Sequence, residues 1–157
     1  MESEVVLAQE ELSVWHALTA MHGVVERLLE QRLQQDAGLS VPDFEVLRGL
    51  ASADGHRLRA GALADVLGWE KSRISHQVRR MTDRGLLQKT GCPTDGRGTW
   101  VELADAGRDA FAAGACGYIE VLRRHLLAVL DEDERRLLRS AGRAVTEQAV
   151  PADSPAG

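Results

Sequence analysis

From about Glu10 to Asp36 the positions Leu12, Trp15, Leu18, Thr19, Met21, His22, Val25, Leu28, Leu29 and Leu33 recur at steps of three and four. That spacing puts one stripe along a helix, and no proline interrupts it before Gly38. Ser40-Val41-Pro42-Asp43 opens a second helix, with a capping hydroxyl, an early proline and an acid three residues on. It carries Phe44, Val46, Leu47 and Leu50 and is expected to stop near Asp54-Gly55. His56-Arg57-Leu58-Arg59 alternates like a very short strand.

Two short helical stretches follow, Gly61 to Leu67 and Glu70 to Arg84, separated at Gly68. Leu86–Thr90 and Thr99–Leu103 read as strands around the turn-rich Cys92-Pro93-Thr94-Asp95-Gly96-Arg97-Gly98, a hairpin tip. A long helix is predicted from Asp105 to about Leu130, with Phe111, Tyr118, Ile119, Leu122, Leu126, Val129 and Leu130 on its apolar side. A last helix opens on Asp131-Glu132-Asp133-Glu134, acids that suit a helix N-terminus. The predicted fold is mainly α with a small β-hairpin wing: a winged helix-turn-helix flanked by long N- and C-terminal helices.

The 157 residues are 44% hydrophobic and 27% charged, a globular composition of about one domain's length. No apolar run approaches the roughly 20 residues that span a bilayer, and the Met1-Glu2-Ser3-Glu4 start is acidic, unlike a signal peptide. Cys92 and Cys116 make no disulfide framework, so a reducing cytoplasm is the expected location. The net charge of −5 conceals an asymmetry. Between His56 and Gly98 nine basic residues face four acids, a local +5 that leaves −10 to the flanks. A basic middle between acidic ends suggests a polyanion-binding face.

The helix after Gly68 sharpens that reading. At 100° per residue Ile74, Val78 and Met81 fall within about 60° of arc, a buried stripe. The opposite face collects Ser72, His76 and Arg79, flanked by Arg73, Ser75 and Arg80, with Lys71 at the helix start and Gln77 nearer the apolar boundary. These are donors suited to guanine edges and phosphates, with hydroxyls that serve either. An ordinary amphipathic helix with a solvated basic face would give the same charge run. The tight turn before it, the hairpin after it and the local concentration of positive charge favour nucleic acid.

On these residues the chain resembles the MarR (multiple antibiotic resistance regulator) family of bacterial transcription factors. The resemblance is carried by Leu63-Ala64 with Leu67, Lys71-Ser72-Arg73-Ile74-Ser75-His76-Gln77-Val78, Met81 and Arg84-Gly85-Leu86-Leu87. Asp95-Gly96-Arg97 then precedes Val101-Glu102-Leu103-Ala104-Asp105-Ala106-Gly107. It covers nearly all of residues 10–148 and implies a homodimer. Residues 1–37 would form an N-terminal dimerisation helix, 38–104 the DNA-binding domain and 105–150 the C-terminal dimerisation helices, with 151–157 a disordered tail. Two recognition helices would enter successive major grooves of a pseudo-palindromic, inverted-repeat operator, and repression is the expected sign of regulation. Arg97 corresponds to the family's minor-groove arginine, and Asp95 would brace the wing.

The resemblance also implies small aromatic or phenolic anions as effectors, bound where the first two helices meet the winged domain. Trp15, His16, Phe44 and Glu45 are the candidate pocket residues, with His22 and Asp43 nearby. Trp15 resembles a tryptophan of the urate-responsive subgroup, but Ser52 stands where that subgroup's anchoring arginine is expected. Two alternatives stay open. A winged helix can serve protein contacts alone, which predicts an apolar or acidic recognition face. Cys92, beside the wing in a basic setting, is the candidate for a redox-responsive regulator, whereas Cys116 reads as a small core residue of the long helix. No His/Cys pair has metal-ligand spacing, no cofactor is expected, and no nucleotide loop, nucleophile elbow or zinc-protease motif suggests an enzyme.

Overall fold

The computed structural model describes residues 7–91 and 99–149. Helix α1 spans Gln9–Ala37 and ends where Gly38 turns left-handed, its N–H returning to Gln34 and Leu33 carbonyls. Ser40 caps α2 (Val41–Ala51): the Asp43 N–H donates to Ser40 Oγ at 3.2 Å and the Ser40 N–H to Asp43 Oδ2 at 3.0 Å. This reciprocal box satisfies two orphan donors at the helix start. A 3-10 turn at Asp54–His56 leads into β1 (Arg57–Arg59), then α3 (Ala60–Leu67) and α4 (Lys71–Asp83). Strands β2 (Leu87–Gly91) and β3 (Thr99–Leu103) pair antiparallel, Leu87 opposite Leu103 and Gly91 opposite Thr99. Strand β1 adds to the other side of β3, giving the order β1-β3-β2.

Leu33, Leu39, Leu47, Leu50, Leu63, Ile74, Met81 and Val101 form a core in which none is more than 2% exposed. That core ties the end of α1, all of α2 and the helix-turn-helix to the sheet. Helix α5 (Asp105–His125) packs along α1 through Gly114, Gly117 and Val121, small or branched residues that let the backbones approach. Cys116 lies about 100° around the helix from Gly117 and is exposed, not a core residue.

The long C-terminal helix is shorter than its apolar pattern predicts. It ends at His125, and a 3-10 turn at Leu127–Val129 separates it from α6 (Glu132–Ala149). Helix α5 stops where Leu126 leaves helical backbone, at φ −120° and ψ −61°. Asp131 then starts α6: its N–H donates to Glu134 Oε2 and its Oδ1 accepts from the Glu134 N–H, both at 2.8 Å. No residue of α6 is buried. No helix among the described residues is long and apolar enough to cross a membrane.

Candidate nucleic-acid interface

Helix α3 stops at Gly68, whose φ of 64° is left-handed. The Gly68 and Trp69 N–H groups return to the Asp65 and Ala64 carbonyls, capping α3 while turning the chain into α4. A side chain at 68 would meet the left-handed penalty of about 1–2 kcal/mol. Beyond the turn, α4 buries Ile74, Gln77, Val78 and Met81 and exposes Lys71, Ser72, Arg73, Ser75, His76, Arg79 and Arg80. Seven of the eight recognition-helix candidates therefore share the outer face.

Not all of them are equally free. The Arg73 guanidinium stacks 3.8 Å from the centroid of the Trp69 ring. The Ser75 hydroxyl donates to the Lys71 carbonyl at 2.9 Å, which leaves its oxygen to accept only. Gln77 is the correction. It is 7% exposed and points inward, donating to Asp43 Oδ1 at 2.6 Å and accepting from Arg80 Nη2 at 3.0 Å.

Asp43 was legible as a helix start, and not as what holds α4. Its carboxylate is buried and accepts from the Ser40 N–H, from Gln77 and from Arg84 Nη1 at 2.6 Å. Arg84 Nη2 also donates to the Gly38 carbonyl at 2.8 Å. Its partners lie 34 and 41 residues away, and no local pattern announces such pairings. Burial alone would push the Asp43 carboxyl up, but the Ser40 N–H, the Arg84 guanidinium and the Ser40 hydroxyl outweigh it and hold the group below its ordinary value.

A carboxyl lowered in the folded state stabilises fully above its unfolded value, about pH 4, and loses that contribution as pH falls through the folded value. Asp43→Asn is therefore expected to lower the melting temperature at neutral pH by more than in acid below the folded value, where the wild-type carboxyl is itself protonated. Thermal denaturation across that range checks it. A constant gap between the two proteins would mean that the charge is immaterial.

The stem of the hairpin has its own bracing. On its outer face Glu102 accepts from Thr90 Oγ1 at 2.6 Å and Gln88 Nε2 at 3.3 Å, with Arg57 Nη1 3.8 Å away. The Thr90 hydrogen bond leads in lowering the Glu102 carboxyl, against a smaller opposing effect of burial. The Arg57 and Arg59 guanidinium carbons stand 5.0 and 5.7 Å from the Trp100 ring centroid. Two of the nine basic residues counted in the sequence thus pack on the stem. Asp95, Arg97 and Cys92 lie outside the described residues.

The predicted effector residues separate. A groove of about 620 Å³ runs between α1, α2 and α5, lined by Leu18, His22, Leu29, Glu45, Tyr118 and Leu122, and also by Trp69 and Arg73. The Tyr118 hydroxyl donates to Glu45 Oε1 at 3.1 Å, and Arg48 pairs with the same carboxylate. Burial, and then Glu45, raises the Tyr118 phenol above its ordinary value. Phe44 does not line this groove. It is core, stacked on Phe111 and Tyr118 with centroids 5.1 and 4.5 Å apart, because its place on α2 faces α5. Trp15 and His16 sit farther out on α1, exposed and away from the groove. Asp43 is sealed in the network above. Among the described residues no group of three or more His, Cys, Asp or Glu could hold a metal.

A MarR family model matches residues 37–98, from the end of α1 to the residue before β3. Sco3205, a MarR family transcriptional regulator from Streptomyces coelicolor solved in complex with DNA, is 30% identical, with 97% of this chain and 96% of that chain covered and a TM-score of 0.88. AbsC, another MarR family transcriptional regulator from Streptomyces coelicolor, is 28% identical, with 92% and 97% covered and a TM-score of 0.84. No curated protein matches.

Proposed function

The chain belongs to the MarR family of transcriptional regulators, and from that premise we propose that it is a homodimeric repressor reading a pseudo-palindromic operator with α4. The observation that carries this is the division of α4 into a buried apolar stripe and an outer face of Lys71, Ser72, Arg73, Ser75, His76, Arg79 and Arg80. An apolar or acidic face would have suited protein contacts instead. Ser72 and His76, short and early in the helix, approach base edges; Arg79 and Arg80, longer and later, reach phosphates. Following the family resemblance, Arg97 would take the minor groove and Asp95 would brace the wing.

Dimerisation is supported by what α1 and α6 leave uncovered. Trp15 and Leu18 are 56% and 49% exposed, and Leu137 and Val145 on α6 are 70% and 69% exposed. Apolar faces of that extent call for a partner, and a two-fold dimer matches a two-fold operator. The groove beside α4 suits a small aromatic anion, with Tyr118 and Trp69 for the ring and Arg73 for the charge. Since Arg73 also belongs to the DNA face, an anion that holds it would compete with DNA.

Selection of bound duplexes from a random pool at near-physiological salt tests this reading. An enriched inverted repeat is expected, and the enriched duplex should be displaced by simple hydroxybenzoates. No enrichment by a folded dimer would favour the protein-contact reading, and no displacement would remove the effector. On that duplex His76→Ala is expected to change base preference by about 1–3 kcal/mol at one position per half-site. An equal loss on all sequences would reduce His76 to a backbone contact.

A further inference from the structure

Gln77 sits where an apolar residue would extend the stripe of Ile74, Val78 and Met81, yet both ends of its carboxamide are used. Its nitrogen donates to the buried Asp43 carboxylate at 2.6 Å. Its oxygen accepts from Arg80 Nη2 at 3.0 Å, holding a long, flexible side chain against the helix one turn away. Asp43 is in turn fixed by the Ser40 N–H and by Arg84, which also grips the Gly38 carbonyl. An unbroken series of hydrogen bonds therefore runs from the α1–α2 corner, through the interior, to a guanidinium on the outer face of α4. Asp43 and Gln77, at 1% and 7% exposure, are too buried to touch DNA themselves.

We propose that Asp43 and Gln77 are positioning residues for DNA binding: the Asp43–Gln77 pair presets the Arg80 guanidinium for a phosphate, and Asp43–Arg84 anchors the end of α4 to the α1–α2 corner. A preset arginine gives up less rotamer freedom on binding than a free one. The inference rests on the DNA-facing reading of α4 and extends it to residues that DNA never meets.

The test is the dependence of affinity on salt, measured by fluorescence anisotropy on the selected duplex and on a random-sequence duplex of equal length. Each phosphate contact contributes about 0.9 to the slope of log K against log salt. Arg80→Ala is expected to flatten the slope by about that amount. Gln77→Met, which keeps the length and apolar fit of the side chain, should flatten it by at least about half as much. The double variant should be no flatter than Arg80→Ala alone. A merely structural role for Gln77 would lower the folded fraction and the melting temperature and leave the slope of the folded protein unchanged. Should Gln77→Met fail to fold, Gln77→Ser, whose smaller side chain leaves room for a water at Asp43 Oδ1 and cannot reach Arg80 as the carboxamide does, is measured in its place, with the same expectation. A flattened slope for Arg80→Ala with a wild-type slope for the Gln77 variant would overturn the positioning role and leave the DNA face standing. A wild-type slope for Arg80→Ala would show that Arg80 meets no phosphate and would likewise overturn the positioning role.

Discussion

In the proposed homodimer, Leu137→Glu/Leu138→Glu is expected to leave the protein monomeric at micromolar concentration and to weaken binding to the proposed operator by about 10²–10⁴-fold. Helix α6 contributes no buried residue within the chain, so two carboxylates there leave the core of the winged domain untouched. Across a dimer interface they would face apolar groups, and removing a carboxylate from water without a partner is costly. The loss in DNA affinity follows from linkage rather than from any contact. When one half-site is bound, a dimer offers its second recognition helix at an effective concentration far above that of free protein, an advantage of about 10²–10⁴. Sedimentation analysis and anisotropy on the selected inverted repeat read the two effects. The monomer should retain weak, salt-dependent binding through its intact α4. A variant that stays dimeric and binds as tightly as wild type would place the dimer contacts elsewhere.

Gly107→Ala is expected to be the most damaging small substitution, at about 3 kcal/mol, the upper part of the range for overpacking a tight site. A Cβ at 107 would stand 2.0 Å from the Leu86 carbonyl oxygen and 3.4 Å from Leu47 Cδ2. The carbonyl is backbone and cannot rotate away, and it already accepts from the Ala104 N–H at 3.1 Å. Relief requires moving the start of α5 away from the end of α4, and with it the packing on Leu47. A melting temperature lowered by about 10 °C is the expected reading for a chain of this size. Gly61→Ala is the control. It lies in α3 with no atom within 4 Å of a Cβ, so it should be neutral or stabilise by about 0.5–1 kcal/mol, the helix preference of alanine over glycine. Equal melting temperatures for Gly107→Ala and wild type would show that the α4–β2 corner yields more readily than its geometry implies.

Much of this protein can be read locally. Ser40 with Asp43, Gly38 and Gly68 set helix boundaries through groups within a few residues of each other, and a one-dimensional chain displays such pairings directly. The stripe of Ile74, Val78 and Met81 follows from helix period alone, and so does the outer face of α4. Periodicity misled at the end of α5: the apolar pattern runs on to Leu130, but the backbone leaves the helix at Leu126 and makes a 3-10 turn at Leu127–Val129 before α6.

What tertiary structure decided is the use of side chains at boundaries between faces. Gln77 lies at the edge of the stripe, where sequence offers no preference for DNA over interior. The arrival of Asp43 from α2 turned it inward. Phe44 and Glu45 are neighbours in sequence, yet Phe44 is sealed against the rings of Phe111 and Tyr118 while Glu45, about 100° further round α2, meets the Tyr118 hydroxyl and lines the groove. Arg57 and Arg59 count as positive charge in the sequence and become packing on Trp100 once β1 pairs with β3. The chain's local chemistry determined its elements and their exposed faces, since both follow from short-range sterics and period. Which polar groups became buried partners rather than surface contacts depended on residues tens of positions away, brought within hydrogen-bond reach only by packing.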